Sequence, residues 1–285
     1  MQLFRFSVVK AEGLEPLAAK VPEITAMFWV IKILTTGMGE AMSDALGQRS
    51  VPLAGAVGVF GLAFALWLQF RVRVYRAPVY WFAVMMVAVF GTMVADGLRD
   101  GASLSYSVTT PFFAIVVAVV FWCWHRREGT LSIHSIVTRR RETLYWAAVL
   151  ATFALGTAAG DLTAIQFNLG FFSSVVLFAV VIAVPALAWW RSALNPVLAF
   201  WSAYVVTRPL GASFADWFGK PHAQTGLGLG DGTVSLIALA VFVGLVGYVA
   251  VTKNDIQEMA VAYSHCEQQR LAAPQIEGQP QIAES

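Results

Sequence analysis

The sequence predicts an all-α, polytopic membrane helix bundle of about eight transmembrane helices, arranged as four parallel two-helix repeats. Three observations predict it. Of the 285 residues, 58% are hydrophobic and 13% are charged, whereas a soluble domain carries about a quarter charged residues. The apolar residues fall in runs of about twenty, the length that crosses a bilayer as a helix; membrane strands need only about ten and alternate in polarity. Finally, one motif recurs four times at a fixed spacing.

Taken in order, the predicted spans cover residues 21–46, 51–70, 79–98, 108–124, 143–163, 169–190, 196–218 and 232–251. Before them, residues 1–20 read as a cytoplasmic lead-in, because they lack an apolar core followed by a small-residue cleavage site. The Gln- and Glu-rich stretch 253–285 reads as a solvated cytoplasmic tail. Grouping spans in pairs gives repeats near 21–72, 77–126, 142–191 and 195–252 within a membrane domain of 21–252. Arg5, Lys10, Lys20, Arg71, Arg73, Arg76, Arg126, Arg127, Arg139, Arg140, Arg141, Arg191, Lys253 and Arg270 fall on one side, and only Arg49, Arg99 and Lys220 on the other. The basic excess marks the cytoplasmic side, so both termini are expected there.

Each odd span opens with an aromatic-Trp pair and closes on an Asp. The copies are FWVIKILTTGMGEAMSD from Phe28, YWFAVMMVAVFGTMVAD from Tyr80, YWAAVLATFALGTAAGD from Tyr145 and FWSAYVVTRPLGASFAD from Phe200. Ten residues after Trp29, Trp81, Trp146 and Trp201 stand Gly39, Gly91, Gly156 and Gly211; fifteen after stand Asp44, Asp96, Asp161 and Asp216. All copies run in one direction, so the expected symmetry is rotational about the membrane normal. At 1.5 Å per residue, Trp and Asp lie roughly 22 Å apart, with Trp read as an anchor at the inner interface and Asp near the outer one. The glycines read as close-packing positions.

An Asp near a helix C-terminus opposes the macrodipole, and the fourfold recurrence calls for a compensating charge: a cation held among the acids, or Arg49, Arg99 and Lys220. The first copy is the most polar, with Lys32, Thr36, Glu40 and Asp44 along one helix face. Lys32 and Glu40 lie deep enough that each needs a partner inside the bundle or a wet cavity. In the fourth copy Arg208 stands at the level of Thr36, followed by Pro209, a residue expected to kink its helix. Thr92 and Thr157 stand at the level of Glu40, where a hydroxyl can bond its own helix or a ligand.

The remaining motifs exclude other classes. Cys123 and Cys266 make neither a disulfide framework nor a thiolate metal site. His125, His134, His222 and His265 lie outside the predicted spans without paired metal-ligand spacing. No phosphate loop is present, and GLGLGDG from Gly226 reads as an outer loop. The net charge of +2 is spread beside apolar spans and gives no nucleic-acid face. No cofactor is predicted.

The stretch KVPEITAMFWVIKILTTGMGEAMSD, from Lys20, resembles the opening of a bacterial family of membrane-anchored proteins built from four copies of a repeat of unknown function. The resemblance extends over roughly residues 20–251 and implies the inner membrane of a bacterium. It implies that Pro22, Glu23, Phe28, Trp29, Lys32, Thr36, Gly39, Glu40 and Asp44 are typical of the family, together with the Gly and Asp of later copies.

The expected partners are the lipid bilayer and a small ion or solute. If the odd helices gather centrally, Glu40, Asp44, Asp96, Asp161 and Asp216 form an acidic site suited to a hard cation such as Mn²⁺ or Mg²⁺, with protons as a candidate coupling ion. Lys32, Thr36, Thr92, Thr157 and Arg208 complete the expected substrate-binding set. The sequence therefore reads as a cation transporter and not as an enzyme. Two alternatives stay open: a structural or regulatory multi-pass protein, and an intramembrane enzyme with Glu40 or an Asp as base and Lys32 as electrophile or nucleophile.

Overall fold

The computed structural model describes residues 20–256, so most of the lead-in and of the tail, with His265, Cys266 and Arg270, lies outside the described residues. Eight α-helices follow one another: α1 Ala26–Arg49, α2 Val51–Arg71, α3 Ala77–Asp96, α4 Tyr106–Glu128, α5 Arg139–Asp161, α6 Phe171–Trp190, α7 Pro196–Gly219 and α8 Asp231–Thr252. No strand occurs among the described residues. Six helices are long and apolar enough to cross a membrane. The other two, α1 and α7, have 24 residues each and carry the buried charges Lys32, Glu40 and Arg208.

Local chemistry sets the boundaries. Residues 21–25 are not helical, because Thr25 is extended and its hydroxyl accepts from the Phe28 amide (3.2 Å), capping α1. Ser50 serves two helices at once: its amide closes α1 on the Leu46 carbonyl (3.0 Å) and its hydroxyl accepts from the Leu53 amide (3.4 Å). Pro at the first or second position starts α2, α3 and α7. Helix α5 begins at Arg139, four residues before the predicted span, with Thr138 as its cap. Glu142 is 1% exposed there, held by Lys20 Nζ (2.7 Å) and Gln69 Nε2 (3.1 Å). Helix α7 runs through Pro209 without a break in its assignment.

The odd helices α1, α3, α5 and α7 close a ring in that order, each packing on the two beside it. Each even helix leans on the odd helix of the following repeat: α2 on α3, α4 on α5, α6 on α7 and α8 on α1. More than half of α3 and α5 is buried, against less than a quarter of α2, α4, α6 and α8. The even helices therefore form the outer, apolar layer that meets lipid.

The repeat glycines state the symmetry at atomic scale. A Cβ on Gly39 would meet Ala88, on Gly91 Phe153, on Gly156 Arg208 and on Gly211 Thr36. Each of these neighbours stands seven residues after the Trp of the next copy. Lipid supplies no hydrophobic drive between helices, so such close approach by small residues is what holds the ring.

The ring has two unlike ends. At the terminal face the chain start, the α4–α5 connection and the segment after α8 meet, with Lys20 N bonded to Ile136 O (3.2 Å) and Glu23 N to Asp255 O (2.8 Å). Just inside it, Phe28, Tyr80, Trp81, Tyr145, Trp146, Phe200, Trp201 and Tyr204 form a contiguous aromatic layer. Tyr80 and Tyr145 join their hydroxyls across it (2.5 Å). This corrects the reading of Trp81, Trp146 and Trp201 as interfacial anchors, since they are 1%, 3% and 4% exposed, whereas Trp29 is only half-buried. They fill the ring because small residues bring the backbones together and leave room only along the axis for large side chains.

Candidate functional site

Three levels of side chains lie between the aromatic layer and the far face. Deepest is Lys32, 1% exposed and without a hydrogen-bond partner. Its Nζ lies 4.1 Å from the ring centres of both Phe153 and Tyr204. The sequence called for a partner inside the bundle or a wet cavity; the partners are two ring faces inside the bundle, whose quadrupoles attract a cation. Tyr204 stands at the level of Lys32 in its own copy, and Phe153 at the level of Thr36 and Arg208. Thr36 does not join the polar centre: its hydroxyl bonds Ile33 O (2.5 Å) and Thr207 O (3.3 Å), fastening α1 to α7.

One level outward, one residue from each central helix converges. Arg208, fully buried, reaches from α7 with Nη2 2.5 Å from Glu40 Oε2 on α1 and 2.6 Å from Thr157 on α5. The same Nη2 contacts Thr92 on α3. Both threonine hydroxyls also stand 3.2 Å from Glu40 Oε2. The fourth copy has Ala212 at this level, and the Arg208 side chain fills the space one turn up. Everything is focused on one oxygen of Glu40; Oε1 makes no hydrogen bond among the described residues. Arg208 Nε and Nη1 likewise have no partner.

Outermost, the four repeat aspartates line a single cavity of about 630 Å³ that opens at the far face. Its wall includes Glu40, Asp44, Asp96, Asp161 and Asp216, with Arg99, Asp100, Tyr106 and Lys220 toward the mouth. Lys220, just past the end of α7, contacts Asp44 and stands 3.7 Å from Asp216 and 3.2 Å from Asp231. Burial alone would lower its pKa, but Asp44, Asp216 and Asp231 outweigh burial and hold the ammonium well above the ordinary lysine value. Lys220 is thus a permanent cation at neutral pH. Of the other expected partners, Arg99 pairs with Asp100 (2.6 Å) and Arg49 is exposed. Asp96 and Asp161 have no hydrogen bond or ion pair among the described residues.

Sequence reasoning missed Asp231 and Gln48, whose Nε2 donates to Asp231 Oδ2 (2.6 Å). Neither stands in the repeated motif. It also missed Phe153 and Tyr204, which alignment of the copies on their Trp would have placed beside Lys32 and Arg208.

One carboxylate oxygen from each of Glu40, Asp44 and Asp216 lies within 4.8 Å of the others. Opposite oxygen ligands sit about 4.2 Å apart on an ion with Mg²⁺-like bonds and about 4.8 Å apart on one with Ca²⁺-like bonds. The three acids can therefore coordinate a hard divalent cation with little movement, provided Lys220 yields its place.

Fold and site together define a polytopic helical membrane protein with a buried ion-pair layer beneath an acidic cavity. The pattern described as Repeat of Unknown Function (DUF347) matches residues 27–75, 79–130, 144–195 and 199–255, and the chain belongs to that family. No curated protein and no solved structure matches the chain.

Proposed function

We propose that the protein is a transporter of a hard divalent cation, such as Mn²⁺ or Mg²⁺, across the bacterial inner membrane. The terminal face lies in the cytoplasm, in keeping with the Lys and Arg distribution, and the acidic cavity opens outside. The observation that carries this reading is the convergence of Asp44, Asp96, Asp161 and Asp216, one from each central helix, on one cavity with Glu40 also in its wall. Carboxylates gathered in a partly desolvated space attract a cation strongly. Below them the Glu40–Arg208 layer and the aromatic layer close the path, so the described conformation is outward-facing. Passage then requires the Glu40–Arg208 pair to part and the aromatic layer to separate. The cargo undergoes no chemical step.

The test is uptake into proteoliposomes. Wild-type protein is expected to carry Mn²⁺ down its gradient, with flux at least tenfold lower for Asp96→Asn and Asp161→Asn. Equal flux in all three contradicts the proposal.

One observation favours a second reading, a structural role: Arg208 already neutralises Glu40, and Lys220 already contacts Asp44 and lies near Asp216. On that reading replacement of the acids lowers the melting temperature in detergent and no variant alters any ion flux.

A further inference from the structure

The fourfold repeat gives its aspartates equal chemistry but unequal neighbours. Nineteen residues after the Trp, the four copies carry Gln48, Asp100, Ile165 and Lys220. Only the fourth places a cation there, and its Nζ stands between two groups of acids. On one side are Asp44 and Asp216, which line the cavity and with Glu40 form the three-carboxylate arrangement. On the other is Asp231, at the start of α8, outside the cavity lining.

Asp231 is the independent observation. It is 5% exposed, its Oδ2 takes Gln48 and Lys220, and its Oδ1 is buried with no donor among the described residues. A buried carboxylate oxygen without a donor is costly, and two neighbours of Asp231 have hydrogens to spare, the Gln48 amide and the Lys220 ammonium; of these only Lys220, with three hydrogens, also reaches the cavity acids. The backbone around Lys220 is fixed by bonds from Leu227 N to Trp217 O (2.7 Å), Gly228 N to Lys220 O (2.9 Å) and Gly230 N to Gly219 O (3.0 Å). A shift of the ammonium therefore needs only side-chain rotation.

We propose that Lys220 is a tethered cation competing with the transported ion: an entering divalent cation takes Asp44 and Asp216, and Lys220 moves wholly onto Asp231. The inference rests on the cation reading above and adds to it the group that sets affinity. In the resting protein Lys220 holds the acids together without an ion. Release of the cargo returns the ammonium to Asp44 and Asp216, so these two acids are not left uncompensated in the emptied cavity.

The experiment is Mn²⁺ titration of the full chain in detergent, with free Mn²⁺ followed by its paramagnetic resonance signal. Lys220→Gln is expected to bind at least tenfold more tightly than wild type. Asp231→Asn is expected to bind at least threefold more weakly, because the displaced ammonium loses its second seat, and the same change in a Lys220→Gln background is expected to have less than half that effect. Should Lys220→Gln not fold, Asp231→Asn alone carries the test, and unaltered affinity there overturns the inference. Wild-type binding with no tightening in a folded Lys220→Gln overturns the role of Lys220 and leaves the cation reading standing. No Mn²⁺ binding by either protein overturns both.

Discussion

The two halves of the central ring differ in how they treat the same side chain. On the α1 and α7 side, Lys220 pairs with Asp44 and Asp216, and Glu40 is paired with Arg208. On the α3 and α5 side, Asp96 and Asp161 face the cavity without a hydrogen bond or ion pair among the described residues, and each is followed by a π-helical turn, Gly97–Gly101 and Leu162–Gln166. Such turns gather at functional sites. Duplication thus kept the carboxylate while its surroundings diverged. The paired half holds its acids around Arg208 and Lys220, and the unpaired half adds uncompensated negative charge to the same cavity.

The largest expected effect breaks the paired half. Arg208→Met leaves Glu40 buried with only two threonine donors, and loss of one partner from a buried ion pair costs about 3–5 kcal/mol. Denaturation in detergent checks this, and adding Glu40→Gln to Arg208→Met should recover most of the loss. Next comes Lys220→Met, expected to cost about 1–3 kcal/mol; Lys220 is 19% exposed and partly screened by solvent, so its effect is smaller. Millimolar Mn²⁺ should restore the melting temperature of this variant more than that of wild type.

The unpaired half should behave in the opposite way. Asp96→Asn and Asp161→Asn break no hydrogen bond or ion pair among the described residues and are expected not to lower the melting temperature, while removing flux. A large destabilisation would show that the two halves are not different in kind.

A modest effect lies at the terminal face, away from the cavity, where the Tyr75 hydroxyl donates to Asp255. Burial pushes the Asp255 carboxyl above its ordinary value, and the Tyr75 donor opposes that push. An acid whose folded pKa exceeds its unfolded value, about 3.9, takes stability away as pH rises between the two. Tyr75→Phe is therefore expected to cost about 1 kcal/mol near neutrality and to make the melting temperature fall more steeply above pH of about 4.

Much of this was legible in the sequence. Apolar runs gave the eight helices to within a few residues, and the fixed spacing of Trp, Gly and Asp gave the direction and symmetry of the repeats. The convergence of Asp44, Asp96, Asp161 and Asp216 followed from that symmetry once the odd helices were known to be central. What stayed hidden depends on side-chain reach across the ring. Arg208 belongs by position to the level of Thr36 but acts one turn outward, because Ala212 leaves space there. Lys32 sits on ring faces because Phe153 and Tyr204, unremarkable in a sequence rich in aromatics, happen to flank it. Asp231 lies in a loop-to-helix junction outside the repeated motif, so no periodicity could join it to Lys220. The buried Trp misled because an aromatic at the end of a membrane helix has the same signature whether it faces headgroups or a neighbouring helix.

The central claim is that one acidic cavity, open outside and closed beneath, is shared by all four repeats. Impermeant thiol labelling of intact cells tests it most directly, using Asp96→Cys, Asp161→Cys and Phe153→Cys in a chain with Cys123 and Cys266 replaced by Ala. The account predicts labelling from outside at positions 96 and 161, slowed by Mn²⁺, and none at position 153 from either side. Labelling of 96 and 161 from the cytoplasmic side alone, or of 153 as readily as the others, would contradict it.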